Sequence, residues 1–476
     1  MRQVPVIPGR RGHSQRRTLF LIYSKGWPLF GIFSFKGGVH PPHSKKATEH
    51  KAIEPFPAPG KVIIPLAQHI GAPAKPAVSK GDEVTIGQVI GEAGGFVSAP
   101  VHASVSGTVT AITTCPHPLG RAVPAVEIEN DGRDAKATPQ PVGTSWESTD
   151  PKALAGAVSQ AGIVGMGGAS FPTHVKLSPP EGKTVDTLII NGAECEPYLT
   201  ADHRLMLEKT DELVEGTLIL RRILGVRHCY IGIETNKPDA IKAVSQALSR
   251  RGGAEIKLAR LRTKYPQGGE KQLINAVTGR QVPSGGLPMD CGCVVQNVGT
   301  ACAVRNAVVD GTPLYERVVT VTGPTVREPK NLLVRIGTPV RLLLEACQVD
   351  LAATNKVVLG GPMMGLAQAD VDVPVVKSTS GVLCLDSETP GERSYDCIWC
   401  GNCFKACPIH LVPSRFAKLV EAGKHDEAEE WGIMDCMECG SCAFVCPAKI
   451  NLVHYVKLGK SHVQSRRKAA KKEAAQ

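Results

Sequence analysis

The chain has 476 residues, 42% of them hydrophobic and 4% aromatic, and a formal net charge of +11. This length and composition exclude a mini-protein and a disordered chain, and they predict about three or four domains with ordinary cores. No stretch reaches the ~20 apolar residues that a membrane-spanning helix needs. Two terminal basic stretches, RRGHSQRR and SRRKAAKKEAAQ, hold part of the charge, but no nucleic-acid-binding motif accompanies them, so nucleic acid is disfavoured as a partner.

Residues 1–50 are predicted to be an N-terminal extension. Arginines precede the apolar segment TLFLIYSKGWPLFGIF, an arrangement that superficially resembles a signal peptide. Its apolar core is interrupted from Ser24 to Gly26, and no small-residue cleavage pattern follows. A disordered extension or a misassigned start is therefore favoured over an export signal.

Residues 51–135 are rich in short β-strand signals. The stretches VSKGDEVTIGQVIGE and SAPVHASVSGTVTAI are punctuated by glycines that indicate tight turns. They resemble the half-repeats of a biotinyl or lipoyl barrel, whose carrier members present a lysine at a hairpin tip. The corresponding stretch here, EAGGFVSAP, has no lysine. The prediction is a structural barrel-sandwich hybrid without a swinging arm.

Residues 150–315, after a Pro, Thr and Ser-rich linker at 136–151, alternate between strand and helix signals. Apolar strands are predicted at 187–191, 229–233, 256–261 and 293–297, separated by helical segments such as DELVEGTLILRRIL. Such alternation predicts a Rossmann-like α/β domain with a mostly parallel sheet, whose strand ends hold nucleotides.

Four glycine-rich or polar motifs lie at the predicted strand ends. In GIVGMGGASFPTHVKL, Gly165, Gly167 and Gly168 could bring backbone amides to a phosphate, or could merely form a turn. In NGAECEP, Glu194 and Glu196 could accept hydrogen bonds from a ribose or a nicotinamide, or could cap a helix. The other two motifs are YPQGGE, whose glycines open a helix, and QNVGT.

Residues 316–375 predict a compact β-grasp-like module. Two strand signals, one helix and a Gly-Gly-Pro turn are visible in ERVVTVTGPTVREPKNLLVRIGTPVRLLLEAC and KVVLGGPMMGLAQ. Met363 and Met364 after that turn could border a redox partner, but packing is the favoured role.

The last recognisable motifs of the chain are two cysteine runs of identical spacing, CIWCGNCFKACP and CMECGSCAFVCP. Sixteen cysteines without a convincing export signal favour thiolate chemistry in a reducing compartment over disulfides. The spacing CxxCxxCxxxCP lets three thiolates wrap one [4Fe–4S] cluster while the fourth cysteine reaches the neighbouring cluster. Structural zinc is disfavoured because it has no use for the third cysteine. Cluster one is assigned Cys397, Cys400, Cys403 and Cys446, and cluster two Cys436, Cys439, Cys442 and Cys407.

These runs predict a helical, ferredoxin-like domain with two [4Fe–4S] clusters over 385–460, followed by a basic tail at 461–476. The segment between the runs has helical composition and periodicity. The predicted fold is thus multidomain, mixing α/β and α+β regions.

The motifs GMGGASFP, NGAECEP, YPQGGE and QNVGT, in this order, resemble the FMN and NADH-binding motifs of the flavin subunit of respiratory complex I. With GGVHPPHSK and the barrel before them, and an SLBB-type β-grasp module and two cubane runs after, the arrangement resembles the C subunit of the Rnf complex, the ion-pumping ferredoxin:NAD+ oxidoreductase. The likeness covers about residues 37 to 455.

The resemblance implies a non-covalent FMN and a nearby NAD(H). FMN would be held by the glycine loop, Asn191, Asn297 and Thr300. NAD(H) would lie near Lys176, Glu194, Glu196 and Glu270, and Gly268 is also assigned to cofactor binding.

It also implies a function: hydride exchange between NAD(H) and FMN, then passage of single electrons through two [4Fe–4S] clusters, because a flavin can do both. The implied partners are other Rnf subunits, a ferredoxin-like iron–sulfur subunit and, peripherally, the cytoplasmic face of the membrane. Two alternatives stay open: a cobalamin reductase of the same family, and an electron relay with a vestigial nucleotide pocket. The second draws on Ala193, which stands where the flavin subunits of complex I carry Asp.

Overall fold

The computed structural model describes residues 31–386 and 394–473. Most of the apolar N-terminal segment lies outside these residues, so its prediction stays untested. Among the described residues, no helix is both long enough and apolar enough to cross a membrane.

The barrel region consists of two small antiparallel sheets. The first eight strands of the chain are β1 (Ile53–Pro55), β2 (Lys61–Pro65), β3 (Lys75–Pro76), β4 (Glu83–Val84), β5 (Val89–Glu92), β6 (Val101–His102), β7 (Gly107–Pro116) and β8 (Ala122–Asn130). One sheet has the order β2–β8–β7–β4 and the other β3–β5–β6. In β7, alternate residues such as Val109 are buried, as a sheet with one face on the core requires.

The α/β domain with the predicted flavin site, the flavin domain, has the expected parallel sheet covered by helices. Its elements are α1 (Pro151–Gln160), α2 (Thr173–Lys176), β9 (Thr187–Gly192), α3 (Ala201–Glu208), α4 (Thr210–Leu224), β10 (His228–Glu234), α5 (Pro238–Arg250), β11 (Ile256–Leu261), α6 (Glu270–Thr278), β12 (Cys293–Asn297) and α7 (Val298–Val309). The strands follow the order β11–β10–β9–β12. The predicted linker contributes a 3-10 helix, Thr144–Ser148, whose Trp146 is buried in the core.

The β-grasp sheet takes strands from outside the predicted range 316–375. The remaining elements of this region are β13 (Glu316–Thr322), β14 (Lys330–Arg335), α8 (Val340–Ala346), β15 (Lys356–Leu359), β16 (Leu366–Gln368) and β17 (Gly381–Leu385). The sheet has the order β1–β14–β13–β17–β15–β16. β1 pairs in parallel with β14, and β17 pairs with both β13 and β15. Such long-range pairing leaves no local sequence pattern, so the predicted boundary was too narrow.

Residues 31–50 depart from the predicted extension because they pack on the flavin and cluster domains. The amide of Phe33 donates to the carbonyl of Arg260 at 2.8 Å, and Val39 forms a bridge with Tyr265. The amide of Gly38 donates to the carbonyl of Ala406 at 2.9 Å. These attachments use backbone groups, which leave no periodicity for sequence analysis to detect.

The cluster domain is helical, as predicted. Its helices are α9 (Asn402–Ala406), α10 (Pro413–Glu421), α11 (His425–Glu430), α12 (Ser441–Phe444) and α13 (Leu452–Glu473). The last helix passes through the predicted boundary at 460, so the described part of the basic tail continues a helix whose Val456 and Val463 are buried. Arg467 pairs there with Glu429.

Candidate flavin, nicotinamide and iron–sulfur sites

Asn191 and Asn297 lie side by side at the carboxyl ends of β9 and β12. Asn297 caps α7 by accepting a hydrogen bond from the amide of Gly299 at 2.8 Å. The Asn191 amide group donates to the carbonyl of Gly268 at 2.8 Å and accepts from the amide of Ala193 at 3.1 Å. The predicted motifs NGAECEP, YPQGGE and QNVGT therefore meet at one edge of the sheet, where α/β folds bind nucleotides.

Thr300 fixes the glycine loop from the first turn of α7. Its buried hydroxyl accepts a hydrogen bond from the amide of Met166 at 3.0 Å and donates to the carbonyl of Val164 at 3.3 Å. Gly167 and Gly168, just beyond, are exposed. Thr300 thus fixes the loop backbone, while the exposed glycines leave that backbone open to solvent.

Two buried cations from the β-grasp region hold the same loop. Lys377 donates to the carbonyls of Gly162 at 2.7 Å and Pro100 at 2.9 Å. Arg317 on β13 donates to the carbonyls of Lys377 and Met166. Burial lowers the pKa of Lys377 to about 7 and that of Arg317 to about 10. The loop geometry therefore depends on the barrel and the β-grasp sheet. Sequence analysis missed both residues because neither lies in the four motifs at the predicted strand ends.

Unpartnered buried amides surround this strand end. Within the described residues, neither amide atom of Gln267 or of Gln296 has a hydrogen-bond partner, and the hydroxyls of Ser170 and Thr173 also lack one. Leaving such groups unpaired costs about 1–3 kcal/mol each. The residues therefore fit a polar ligand such as FMN, whose phosphate, ribityl and ring atoms could pair with them. Both glutamines stand inside motifs that had been singled out for other residues.

Glu194 engages the start of α3. Its carboxylate accepts hydrogen bonds from the amides of Asp202 at 2.9 Å and His203 at 3.3 Å, and the Lys45 ammonium lies 4.0 Å away. Asp202 in turn accepts from the Asn297 amide at 2.7 Å. Burial, reinforced by repulsion from Glu194, raises the pKa of Asp202 to about 7. The helix-capping role considered for Glu194 is thus present in the structure.

Glu196 joins the flavin domain to the Gly-Gly-Pro turn of the β-grasp module. Its two carboxylate oxygens accept hydrogen bonds from the amides of Met363 at 3.1 Å and Met364 at 2.9 Å. Burial raises the pKa of this carboxyl to about 7. Lys45 donates to the carbonyls of both Glu194 and Glu196, at 3.0 and 2.9 Å. Both glutamates therefore position the backbone around the strand end.

Lys176 and Glu270 form the accessible ion pair of this edge. The Lys176 ammonium lies 2.8 Å from a carboxylate oxygen of Glu270 and donates to the carbonyl of Val295 at 3.2 Å. The side chains are 24% and 38% exposed, respectively. Glu270 begins α6 directly after its N-cap, Gly269. This pair offers a cation and an acceptor to a ligand that approaches from solvent.

A separate cavity lies away from the glycine loop, between residues 43–49 and the start of α5. Its buried cations already have partners. Lys237 pairs with Glu234 at 3.0 Å, and Lys45 donates to backbone carbonyls. The cavity therefore supplies no unpaired buried charge to attract a ligand, and the strand end remains the better candidate.

The YPQGGE loop contacts the second cysteine run directly. The Tyr265 hydroxyl donates to the carbonyl of Cys439 at 2.7 Å. Tyr265, Cys439, Cys195 and Met437 pack in one apolar cluster. The flavin-domain edge and the second cysteine run are thus in van der Waals contact.

The predicted ligands of cluster two line one recess. Cys407, Cys436, Cys439 and Cys442 all border it, together with apolar side chains such as Phe416. Burial raises the pKa of all four thiols, to about 11 for Cys436. Thiolates in such a place need a cationic partner, and the iron of a [4Fe–4S] cluster supplies it.

The predicted ligands of cluster one lie further out. Cys403 and Cys446 share an apolar cluster that also contains Cys442 of the neighbouring set. Cys397 is half-buried and Cys400 is exposed. The donor set suits a [4Fe–4S] cluster near the surface. Among the described residues, no three Cys, His, Asp or Glu side chains could together hold a single metal ion.

Family models match four regions of the chain. The RnfC barrel sandwich hybrid domain matches residues 33–133, and the Nuo51 FMN-binding domain matches 158–306. The SLBB domain matches 318–367, and the 4Fe-4S dicluster domain matches 393–450.

Curated relatives are similar to this chain over 90–91% of its length. The chain is 51% identical over 430 residues to the C subunit of the proton-translocating ferredoxin:NAD(+) oxidoreductase complex of Clostridium ljungdahlii, covering 90% of this chain and 93% of that protein. The chain belongs to the family of Rnf complex C subunits. It is 47% identical over 437 residues to the C subunit of the Na(+)-translocating complex of Acetobacterium woodii, covering 91% of this chain and 98% of the relative. The C subunit of the ion-translocating oxidoreductase complex of Rhodobacter capsulatus is 45% identical over 437 residues, covering 91% and 84%.

As a C subunit of the Rnf family, the chain is part of a multi-subunit oxidoreductase complex and combines an FMN-binding domain with a 4Fe-4S dicluster domain. The predicted family, fold class, cofactors and electron-transfer function are confirmed, and the cobalamin reductase alternative is not favoured. Among solved structures, the NAD+-reducing [NiFe]-hydrogenase in the air-oxidized state is similar at 20% identity and a TM-score of 0.48, covering 66% of each chain.

Proposed function

We propose that this protein exchanges hydride with NAD(H) at the strand-end edge of its flavin domain and relays single electrons through cluster two and then cluster one to other Rnf subunits. The observation that carries this order is the contact between Tyr265 and Cys439, because it places the cluster-two thiols against the flavin domain. Cluster one lies beyond, around the exposed Cys400.

The chain's own residues have separate tasks in this proposal. The loop with Gly165, Gly167 and Gly168 would hold the FMN phosphate, and Asn191 and Asn297 would face the rest of the cofactor. When bound, FMN supplies the conversion between electron pairs and single electrons. No acid or base is required, since positioning of the two rings carries most of the reaction.

The nicotinamide substrate would lie beside Lys176, Gly268 and Glu270. The Lys176–Glu270 pair supports this assignment because it is half-open to solvent at the same edge. Glu194 and Glu196 would support the site by holding the start of α3 and the Met363 turn. Thr300 would support it by holding the glycine loop.

The proposed location is the cytoplasmic face of the membrane, where the protein would bind peripherally beside a ferredoxin-like iron–sulfur subunit. Cysteine usage supports a reducing compartment, since half of the sixteen cysteines stand in the two runs with [4Fe–4S] spacing. Proteolysis of the protein in inverted but not in right-side-out membrane vesicles would support this location. The opposite result would contradict it.

An anaerobic NADH titration of the purified, cluster-containing chain tests the function. Flavin and iron–sulfur absorbance are followed together. We expect both to bleach, because one polypeptide joins the two kinds of electron transfer. If bound flavin is present and neither signal changes, the assignment of NAD(H) to this edge fails.

A further inference from the structure

The two cysteine runs share one backbone conformation. Each run begins with CxxC, continues as one turn of helix (α9 or α12) and ends with Cys-Pro. Both reach positive φ at the same three positions of the repeat: Trp399 and Glu438 (56° and 59°), Gly401 and Gly440 (73° and 80°), and His410 and Lys449 (57° and 53°). A residue in one run therefore has a structural counterpart in the other.

The tip of the second run, residues 437–439, faces inward, onto the flavin domain. Met437 packs so closely that a Cβ added to Gly269 would lie 2.8 Å from its Cε. The next cysteine, Cys439, is only 6% exposed, and its carbonyl accepts the Tyr265 hydroxyl. This tip is where electrons enter cluster two in the proposed function.

The tip of the first run faces solvent. Ile398, the counterpart of Met437, is 68% exposed, and the adjacent Trp399 is 70% exposed. Cys400, the counterpart of Cys439, is exposed, and Phe404 beside it is 47% exposed. Large apolar side chains grouped in this way mark a contact site, whereas scattered single ones do not.

We propose that Ile398, Trp399 and Phe404 form an exit surface, the docking site for another member of the Rnf complex that carries its own one-electron centre. The proposal rests on the proposed function and adds the place where electrons leave. The repeat supplies the reason: the second run uses this same tip to meet its redox neighbour, so the first run presents an equivalent tip that no described residue covers.

The chemistry around the exit surface favours a protein occupant. Asp396 and Lys405, both exposed, flank the apolar side chains. An aromatic centre with a polar rim is the usual anatomy of a protein interface. Redox contacts of this kind tend to be small, and three large side chains suffice for their centre.

Two variants of the full-length chain test the exit surface, Ile398→Gln and Trp399→Asn. Asn tolerates the left-handed backbone of position 399, so the loop keeps its conformation. The control is Leu119→Gln, which replaces a 61% exposed leucine in the barrel region. Each protein is mixed with Rnf complex assembled without its C subunit, and binding is measured together with NADH-driven electron transfer into that complex.

We expect each exit-surface variant to bind at least tenfold more weakly and to transfer electrons correspondingly more slowly, while Leu119→Gln behaves as wild type. NADH bleaching of flavin and clusters should stay unchanged in all three variants, since each of them keeps all eight cysteines of the two runs. Unaltered binding of both exit-surface variants would overturn the proposal. The proposal would also be overturned if the exit-surface variants bound the complex normally but lost binding to protein-free vesicles of phosphatidylglycerol and phosphatidylethanolamine. That result would show that the surface contacts lipid. Failure of wild-type bleaching would instead count against the proposed function alone.

Discussion

The hydroxyl of Tyr265, in the flavin domain, donates a 2.7 Å hydrogen bond to the backbone carbonyl of Cys439, in the second cysteine run. Tyr265 is itself buried, so this bond satisfies two groups that water cannot reach. It is a specific polar link across the path from the flavin edge to the clusters. Removing this hydrogen bond should therefore slow electron transfer from the flavin domain to the clusters more than electron transfer within either domain.

Replacing Tyr265 by Phe should loosen this link. The buried carbonyl of Cys439 would lose its partner, at a cost of about 1–3 kcal/mol. We expect NADH to bleach the flavin at the wild-type rate and the clusters more slowly, as stopped-flow absorbance would show. Parallel slowing of both signals would mean that Tyr265 acts on the flavin site instead.

The order of the two clusters predicts different results for their ligands. Cys442→Ser removes a cluster-two ligand, so the flavin should still bleach with NADH while cluster one stays oxidised. Cys400→Ser removes a ligand of cluster one, and cluster two should remain reducible. Electron paramagnetic resonance of the NADH-treated proteins separates the cases. Reduction of cluster one in Cys442→Ser would show that electrons bypass cluster two.

Two adjacent glycines of the loop should respond differently to alanine. A Cβ at Gly167 would lie 2.6 Å from the Asn297 amide nitrogen, whereas a Cβ at Gly168 would meet nothing within 4 Å. Gly167→Ala should therefore displace Asn297 and lower the FMN content of the purified protein, with cluster content intact. Gly168→Ala is the matched control and should retain FMN. Equal FMN content in the two variants would argue against a role for this contact.

The hydrogen bonds that Lys377 donates to the carbonyls of Gly162 and Pro100 predict that this distant lysine controls flavin binding. Lys377→Met would leave the carbonyls of Gly162 and Pro100 without their donor, in a site where burial already disfavours a charge. We expect at least a tenfold weaker FMN affinity, measured by flavin fluorescence, with iron content unchanged. Lys51→Met removes a similar lysine-to-carbonyl bond at an exposed site and should bind FMN normally. Normal FMN binding by Lys377→Met would show that these hydrogen bonds do not control the flavin site.

Glu196 predicts a pH dependence of stability. Burial raises its pKa in the folded protein to about 7 from an ordinary 4.5, so between these values the folded chain binds a proton that the unfolded chain lacks. The free energy of unfolding should therefore fall as the pH rises through this window. Glu196→Gln cannot titrate, so its melting midpoint by circular dichroism should fall less as the pH is raised through the same window. Identical pH profiles would show that Glu196 does not titrate in this range.

Features that depend on local spacing could be predicted from the sequence. The two CxxCxxCxxxCP runs predict eight thiol ligands, since three ligands of each cluster would lie on one short loop. The alternation of strands and helices in 187–309 predicted the parallel sheet, because burial on both faces needs continuous apolar strands. The order of the glycine motifs then indicated the family.

Only the three-dimensional packing shows which of these residues hold the scaffold. Lys377 and Arg317 reach the glycine loop from a different domain, and no periodicity links positions so far apart in the chain. Glu196 looked free to bind a nucleotide, but its carboxylate accepts the amides of Met363 and Met364. Such roles follow from long-range packing, because a buried polar group forms hydrogen bonds with the partners that the fold places next to it.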